Sequence, residues 1–376
     1  TTANNNVAVG DSALNANTTG TANVAVGRSA LTANTTASYN TALGDLALMA
    51  NTTGDNCTAV GMEALQNNTT GSSNTAVGMR ALEVNTTGTL NTAVGTYSLD
   101  ASTTGNRNTC VGYNTGTAIT TGSDIDAFGA YTLQSNTTGT RNVAFGRSAL
   151  QNNTTAHDNV AVGHEALKVT TAGTENVAVG SYALDASNAS YNTGVGYAAL
   201  TDNTSGAENT AIGYNAMGDN STGSNNTALG AYALDYNTTA SYNTALGFGS
   251  MSDNSTGAYN TAVGYRSLKS NTTGHYNVAV GTYALEENTT AYYNTSVGYK
   301  SLEANTTGQT NSALGFGALH ANTTGLDNIA IGHESLYSNT TASYNVSIGR
   351  GALYTNTTGA DNVAVGQQVL QTVSSG

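Results

Sequence analysis

Apolar and polar positions recur along this chain with a period of seventeen residues. The register is marked by a glycine column of twenty-two members, from Gly10 to Gly366, with one spacing a residue short between Gly180 and Gly196. The unit reads Asn, Thr or Val, Ala, Val or Leu, Gly, two variable residues, Ala or Ser, Leu, two variable residues, Asn-Thr-Thr, Gly or Ala, and two variable residues. A unit this short cannot bury a core of its own, so the units must stack. We expect one continuous array over residues 1–366, with the pattern decaying over residues 367–376.

Local chemistry favours strand over helix in each unit. The segment from Asn23 to Gly27 alternates with the two-residue rhythm of a strand, and every unit contains β-branched residues and glycine, which disfavour helix. Ala13 and Leu14 predict a second short strand. Asn-Thr-Thr-Gly at residues 17–20 predicts a turn that tolerates left-handed backbone. We therefore expect an all-β fold, a parallel β-solenoid (β-roll) of about 22 coils with two strand segments per coil, forming a rod about 105 Å long.

Two columns of residues are expected to form the core. The leucine column, four residues after each glycine, is Leu in nineteen coils, with Met217, Met251 and Gly116 as exceptions. The alanine column, two residues before each glycine, is Ala in eighteen coils and otherwise small. Only small side chains fit there, so this face must lie close to another layer. Irregularities at residues 112–129 and at Ser187 and Asn188 predict local bulges.

A third apolar column has no obvious cover. The outer apolar column, the residue immediately before each glycine, is apolar in all twenty-two coils, and Phe128 and Phe145 are its largest members. It points to the opposite face of the strand from the alanine column. A strip this long exceeds the apolar patches that soluble monomers expose. A second copy of the chain, in a closed cyclic oligomer, is the expected cover.

Composition excludes several classes of function. The net charge is −13 with only ten basic residues, which disfavours nucleic-acid binding, and no run of about 18 apolar residues predicts a membrane span. Cys57 and Cys110 lie three coils apart, about 14 Å by strand spacing, too far for a disulfide, so we expect small core substitutes. The array begins within a motif at Thr1 and shows no polar cap at either end. We expect a piece of a longer protein, or one that polymerises end to end.

The turn asparagine column, seven residues after the glycine, is the main candidate site. Ser or Thr follows two residues later in all seventeen of its coils. One interpretation is a ladder of amides bonded from coil to coil. A second is glycosylation, because Asn-x-Ser/Thr is an acceptor sequence. A third is a flat surface of two Thr columns that binds ice or a polysaccharide. The members are Asn17, Asn34, Asn51, Asn68, Asn85, Asn136, Asn153, Asn203, Asn220, Asn237, Asn254, Asn271, Asn288, Asn305, Asn322, Asn339 and Asn356.

Two further ladders are expected. The strand asparagine column, four residues before the glycine, runs from Asn6 to Asn362 and is Asn in twenty coils. Tyrosines precede it in four consecutive coils, at Tyr242, Tyr259, Tyr276 and Tyr293. Such rings could hold sugars, but a tyrosine ladder more often packs on itself.

Catalytic chemistry is not expected. The five histidines lie in mixed columns without the spaced partners of a metal site, and no phosphate loop, nucleophile motif or unique carboxylate pair occurs. Every coil is alike, whereas catalysis needs one special place. We expect a non-enzymatic protein without cofactor or metal.

The repeat resembles a known family. Residues Asn74 to Ala81 and Asn260 to Ser267 are similar to the head repeat of trimeric autotransporter adhesins of the YadA type. They also resemble repeat regions of bacteriophage tail fibres. The resemblance implies a left-handed β-roll with three chains around a common axis and the apolar strand face turned inward. The unit here is longer than the head repeat because of its Asn-Thr-Thr-Gly turn.

These observations predict a structural or adhesive extracellular fibre segment, on a cell surface, in a secreted filament or in a virion fibre. It would associate with itself, as a homotrimer or an end-to-end polymer, and attach to cells or surface glycans. The alternatives are a glycan-coated filament subunit and an ice-binding or polysaccharide-binding solenoid.

Overall fold

A computed structural model of the chain describes residues 3–372, and all the regular secondary structure in that range is β-strand. Contacts divide the chain into two compact units, Thr1–Ser190 and Tyr191–Gly376. The division falls in the coil that is one residue short. A single continuous array remains a prediction.

Each unit contains eleven strands of three residues. The first unit has β1 (Val7–Val9), β2 (Val24–Val26), β3 (Thr41–Leu43), β4 (Thr58–Val60), β5 (Thr75–Val77), β6 (Thr92–Val94), β7 (Thr109–Val111), β8 (Asp126–Phe128), β9 (Val143–Phe145), β10 (Val160–Val162) and β11 (Val177–Val179). The second has β12 (Thr193–Val195), β13 (Thr210–Ile212), β14 (Thr227–Leu229), β15 (Thr244–Leu246), β16 (Thr261–Val263), β17 (Val278–Val280), β18 (Thr295–Val297), β19 (Ser312–Leu314), β20 (Ile329–Ile331), β21 (Val346–Ile348) and β22 (Val363–Val365).

Within each unit, every strand pairs in parallel with the next strand along the chain. Residues seventeen apart are partners, as Ala59 is with Ala76 in the first unit and Ala228 with Ala245 in the second. The expected all-β parallel solenoid is therefore confirmed.

Each coil has one strand, not the two that were expected. Ala13 and Leu14, predicted as a second strand, lie in a turn, and Leu14 has a φ of 53°. The turn still bonds from coil to coil, because the Leu14 N–H donates to the Ala30 carbonyl at 3.0 Å. The alternation of small and large residues was mistaken for extended backbone. It marks a turn that is stacked as tightly as a strand.

Left-handed residues occupy three columns in each coil, and none of them belongs to the Asn-Thr-Thr-Gly turn that was expected to hold them. Glu63, Leu65 and Ser73 illustrate the three columns, with φ values of 60°, 51° and 59°. β-branched side chains are poorly tolerated at such φ values. Of the non-glycine residues with positive φ in the described range, Thr310 is the one β-branched example. This explains why the leucine column contains Leu and Met but neither Ile nor Val.

The glycine column is required by close contact between coils. Gly61 has a φ of 133°, and a Cβ added to it would lie 2.6 Å from the carbonyl oxygen of Gly78 in the next coil. Every side chain would collide with backbone there, which explains why glycine is retained in every coil.

The core lies between the alanine and leucine columns. Leu65 and Ala59 are fully buried, and the two columns line the inside of the coil except at the ends of the array, where Ala8 and Leu370 are exposed. At Ser296, a polar member of the alanine column, the hydroxyl donates to the Ser301 carbonyl across the coil at 2.7 Å. The expectation of a tight layer that accepts only small residues is confirmed. Cys57 and Cys110 are free and buried, also as expected.

Neither expected bulge is present. Strands β7 and β8 pair without a break, with Cys110 opposite Ala127. The missing residue near Ser187 and Asn188 is lost from the Asn-Thr-Thr turn, outside any strand. Gly116, the gap in the leucine column, is filled from elsewhere: Ile119 Cδ1 lies 2.7 Å from where the Gly116 Cβ would be. Ile119 replaces a turn asparagine, so one exception compensates for the other.

Leu65→Ile is expected to lower stability more than Leu65→Met. Both changes keep the apolar volume, but isoleucine adds β-branching at a φ of 51°, which costs about 1–3 kcal/mol. Methionine already stands in this column at Met217 and Met251. Thermal unfolding of the two variants measures the difference, and equal midpoints would contradict the left-handed leucine column.

Candidate functional site

The turn asparagines form a buried ladder. Sixteen of the seventeen, all except the half-buried Asn17, are fully buried. Asn68 shows the pattern: its Nδ2 donates to Asn51 Oδ1 and to the Gly71 carbonyl, both at 2.9 Å. Asn85 Nδ2 in turn donates to Asn68 Oδ1 at 2.7 Å. Bonded runs extend from Asn17 to Asn85 in the first unit and from Asn203 to Asn339 in the second.

The strand asparagines form a second ladder that meets the first. Asn23 Oδ1 accepts from the Asn40 N–H at 3.0 Å, one coil further on. Its Nδ2 donates to the Ala37 carbonyl at 2.9 Å, and Asn34 of the turn column donates to the same carbonyl at 3.0 Å. In this coil both ladders therefore converge on one carbonyl. Cys57 replaces asparagine in one coil of this column. Its thiol makes a weaker hydrogen bond of the same kind, with Sγ 3.3 Å from the Gly71 carbonyl.

The ladder leaves buried polar atoms unpaired where it breaks. Ser102 replaces asparagine in the coil after Asn85, and both Asn85 Oδ1 and Ser102 Oγ are buried without a hydrogen-bond partner. A serine is too short to reach the neighbouring rung. The other exceptions in this column within the described residues are Ile119, Thr170 and Ser187.

This geometry bears on the glycosylation hypothesis. Glycosylation substitutes the amide nitrogen of asparagine. In a rung such as Asn68 that nitrogen is buried and both of its hydrogens are used in hydrogen bonds. A glycan at such a rung would have to open the ladder. Glycosylation remains a hypothesis that the folded coil disfavours.

The two threonines that follow each turn asparagine differ in exposure. Thr69 is half-buried, and its hydroxyl donates to the Thr86 carbonyl of the next coil at 2.9 Å. Thr70 is exposed. The second threonines, which include Thr19, Thr36, Thr53 and Thr70, thus form one regular exposed column rather than the two that a flat double row would need.

The outer apolar column lies on the surface of the chain. All twenty-two of its members are half-buried or exposed, with Val9 at 58%, Leu229 at 42% and Leu314 at 50% exposure. The alanines beside them are buried, except Ala8 in the first strand. The predicted separation of the two strand faces is confirmed, and each unit carries an uncovered apolar strip.

Aromatic residues form stacked series in the second unit. Tyr242, Tyr259, Tyr276 and Tyr293 stack with centroid distances of 4.9, 5.1 and 5.2 Å and nearly parallel planes. Neighbouring rings cover each other's faces at this spacing, which leaves no room for a sugar between them. The tyrosines pack on themselves.

A longer series, the nine-ring stack, was not found from the sequence. It changes column twice, from the first residue after the glycine to the second at Tyr232 and Tyr283, so no single column reveals it. A search for an aromatic at either position would have found one ring per coil. The members are Tyr197, Tyr214, Tyr232, Phe248, Tyr265, Tyr283, Tyr299, Phe316 and His333.

Charged residues pair between coils on the surface. Arg28 lies 2.8 Å from Asp45, one coil further on, and holds the pKa of that carboxyl below its usual value through a hydrogen bond. The Arg28 side chain is 63% exposed, and exposed pairs of this kind contribute little to stability.

Two aspartates have a pKa above the usual value, in contrast to Asp45. Burial raises the pKa of Asp235 to about 6, and repulsion from Asp219 adds to the shift. Burial likewise raises the pKa of Asp100 to about 6. Asp235 is only 6% exposed and accepts a hydrogen bond from Asn215 Nδ2.

Known proteins offer no assignment for these surfaces. The chain matches no protein-family model and no curated protein sequence. Within residues 3–372, no three His, Cys, Asp or Glu side chains are grouped so that they could hold a metal ion. The same residues include no helix with the length and apolar character needed to cross a membrane.

Asn68→Ala is expected to destabilise the protein by about 2–3 kcal/mol, because it removes two buried hydrogen bonds and leaves Asn85 Nδ2 without one acceptor. Thr70→Ala, on the exposed column of the same turn, is the matched control and should change stability by less than about 0.5 kcal/mol. Chemical denaturation measures both.

Ser102→Asn should act in the reverse direction. The new amide can donate to Asn85 Oδ1, which is now unpaired, and raise stability by about 1 kcal/mol. A neutral Asn68→Ala or a destabilising Ser102→Asn would contradict the ladder as a source of stability.

Asp235→Asn is expected to stabilise the protein at pH 7 and not at pH 4. The folded-state pKa is about 6, raised from 3.8. Below pH 3.8 the carboxyl is protonated in both the folded and the unfolded state. As the pH rises through about 6 the buried group loses its proton, and the stability that the protonated form provides is lost. Asparagine keeps the oxygen that accepts from Asn215 and carries no charge. Chemical denaturation at several pH values across this range should show the free energy of unfolding of the variant rising relative to that of the native chain by about 3 kcal/mol. A constant difference would contradict the prediction.

Proposed function

We propose that this chain is a structural and adhesive segment of an extracellular fibre, in which copies of the chain pack against each other through their outer apolar columns. The exposure of that column carries the proposal. In each unit, consecutive coils present Val, Leu, Ile or Phe at the same point of the strand, as at Ile212, Leu229 and Leu246. A contiguous apolar strip of this length is typical of a surface that is covered in the assembled protein.

A second copy of the chain is the partner that fits the strip best. The apolar side chains repeat at the strand spacing, about 4.8 Å. Only a surface with the same repeat can match them coil for coil, and another copy has it. The outward-facing positions of the strands carry one charged residue in the described coils, Asp126. The negative charge of the chain therefore lies elsewhere and does not oppose association through this face.

The proposed assembly is a homotrimer of left-handed coils, as the resemblance to adhesin heads implies. Closed rotational symmetry lets identical strips cover one another. The fibre would stand on a cell surface, in a secreted filament or on a virion, and attach to cells or surface glycans. End-to-end polymerisation remains the alternative arrangement.

One observation favours a second function. The exposed second threonines recur in most coils, as at Thr53 and Thr70, and supply one of the two hydroxyl columns expected for an ice-binding or polysaccharide-binding surface. Thermal hysteresis of the purified protein would support this alternative, and its absence would remove the ice-binding form.

The paired substitution Leu229→Lys and Leu246→Lys is expected to dissociate the assembly. Two charges in adjacent coils of the strip cannot be buried against an apolar partner. Sedimentation velocity should find the native protein at a multiple of the 37.9 kDa chain mass and the variant at the chain mass.

Thr239→Lys with Thr256→Lys is the matched control, because it adds the same charges in the same two coils at exposed turn positions. It should leave the assembly intact. A monomeric native protein, or dissociation by the control, would refute association through the strip.

A further inference from the structure

A surface groove of about 360 Å³ lies beside the nine-ring stack in the second unit. Tyr232, Phe248 and Tyr265 line it together with Asp235 and Asp253. Small-molecule sites usually span about 300–1,000 Å³ and combine aromatic walls with a few polar groups. The groove meets both conditions, and it lies within a few adjacent coils of one chain.

Tyr232 interrupts the stack at this groove. Its ring plane is turned by 66° from that of Tyr214 and by 77° from that of Phe248, whereas Phe248 and Tyr265 are within 14° of parallel. A ring turned in this way presents edges along the stack, so the neighbouring rings do not cover both of its faces. Tyr232 is 37% exposed. It can serve as an aromatic platform.

The groove exists because the next coil has no side chain at the equivalent position. Gly249 stands seventeen residues after Tyr232, and a Cβ added there would meet only Arg266 Cγ, at 3.7 Å. Tyr283 is turned in the same way as Tyr232, but Lys300 stands seventeen residues after it. The Lys300 ammonium lies 5.4 Å from the centre of the Tyr283 ring. The space beside the turned ring is therefore open at Tyr232 and filled by the Lys300 side chain at Tyr283.

The polar groups of the groove favour a ligand without net charge. Arg266 and Lys269 line it together with Asp235 and Asp253, and each of the two cations already has a carboxylate partner. Lys269 Nζ lies 3.3 Å from Asp253 Oδ2, and Arg266 Nε lies 3.0 Å from Glu286 Oε1. An anionic ligand would therefore find no unpaired cation, and Asp235 already accepts a hydrogen bond from Asn215 Nδ2. A neutral ligand rich in hydroxyl groups can donate to the carboxylates and accept from the cations.

We propose that this groove binds a neutral saccharide, with the apolar face of one sugar ring on Tyr232 and sugar hydroxyls donating to Asp235 and Asp253. The inference rests on the proposed function, specifically on attachment to surface glycans. It specifies the class of ligand and the binding site for that attachment. It does not depend on self-association, because coils of a single chain form the groove.

Saturation-transfer difference NMR tests the proposal, with methyl glycosides of glucose, galactose, mannose and N-acetylglucosamine as probes at millimolar concentration. The full chain should transfer saturation to the ring protons of at least one glycoside. Gly249→Lys should abolish the transfer, because it copies the closed arrangement of Lys300, which the fold already accommodates. Tyr232→Ala should weaken binding by about tenfold or more.

Tyr283→Ala is the matched control, and it should leave the transfer unchanged because Lys300 already covers that ring. Circular dichroism of each variant verifies the fold, and light scattering of the same samples reports the assembly separately. A folded protein that transfers saturation to none of the four glycosides would overturn the proposal. Unchanged transfer in Gly249→Lys, or binding of tetramethylammonium in place of the sugars, would also overturn it. None of these outcomes alters the assembly, so failure of the groove and failure of the fibre are distinguishable.

Discussion

Successive coils approach so closely at the glycine column that no side chain fits between them. A Cβ on Gly27 would lie 2.2 Å from the carbonyl oxygen of Gly44. This contact keeps residues seventeen apart in register and brings the turns, as well as the strands, within hydrogen-bonding distance of the next coil. The Glu63 N–H, for example, donates to the Asp45 carbonyl at 2.9 Å. Left-handed residues cost about 1–2 kcal/mol each, and three columns of them persist because these bonds hold the turns in place.

Features that belong to a column could be predicted from the sequence, because a column is visible as residues seventeen apart. The parallel register, the buried leucines and the asparagine ladder are of this kind. The shape of a turn is not. Leu14 is left-handed because its N–H donates to the Ala30 carbonyl in the next coil. The residues around Leu14 in the sequence do not indicate this partner. The absence of Ile and Val from the leucine column was a signal of the strained backbone, but the general preference of leucine for helices and strands obscured it.

The candidate groove could not be predicted for a related reason. Gly249 and Gly317 follow the same Gly-Phe dipeptide, but a Cβ on Gly317 would lie 3.2 Å from Tyr337 Cε2, whereas Gly249 has open space. The difference comes from a residue one coil away. A lattice of nearly identical coils offers a specific site only where one coil departs from its neighbours. Uniform columns suit assembly, and the local exception at Gly249 suits recognition.

The superposition of coils is tested most directly by pulsed electron–electron spin resonance between spin labels on the exposed second threonines of the first unit. Cys57 and Cys110 are buried, so labels can be placed on cysteines introduced at Thr19, Thr104 and Thr138. These positions lie five and seven coils apart, which predicts about 24 Å and about 34 Å at the strand spacing. A stack of helical repeats would add about 8–10 Å per unit instead, about 45 Å over five units. A separation between labels that grows by about 5 Å per coil supports the solenoid. A separation that grows by about 10 Å per coil, or that does not grow with the number of coils, contradicts it.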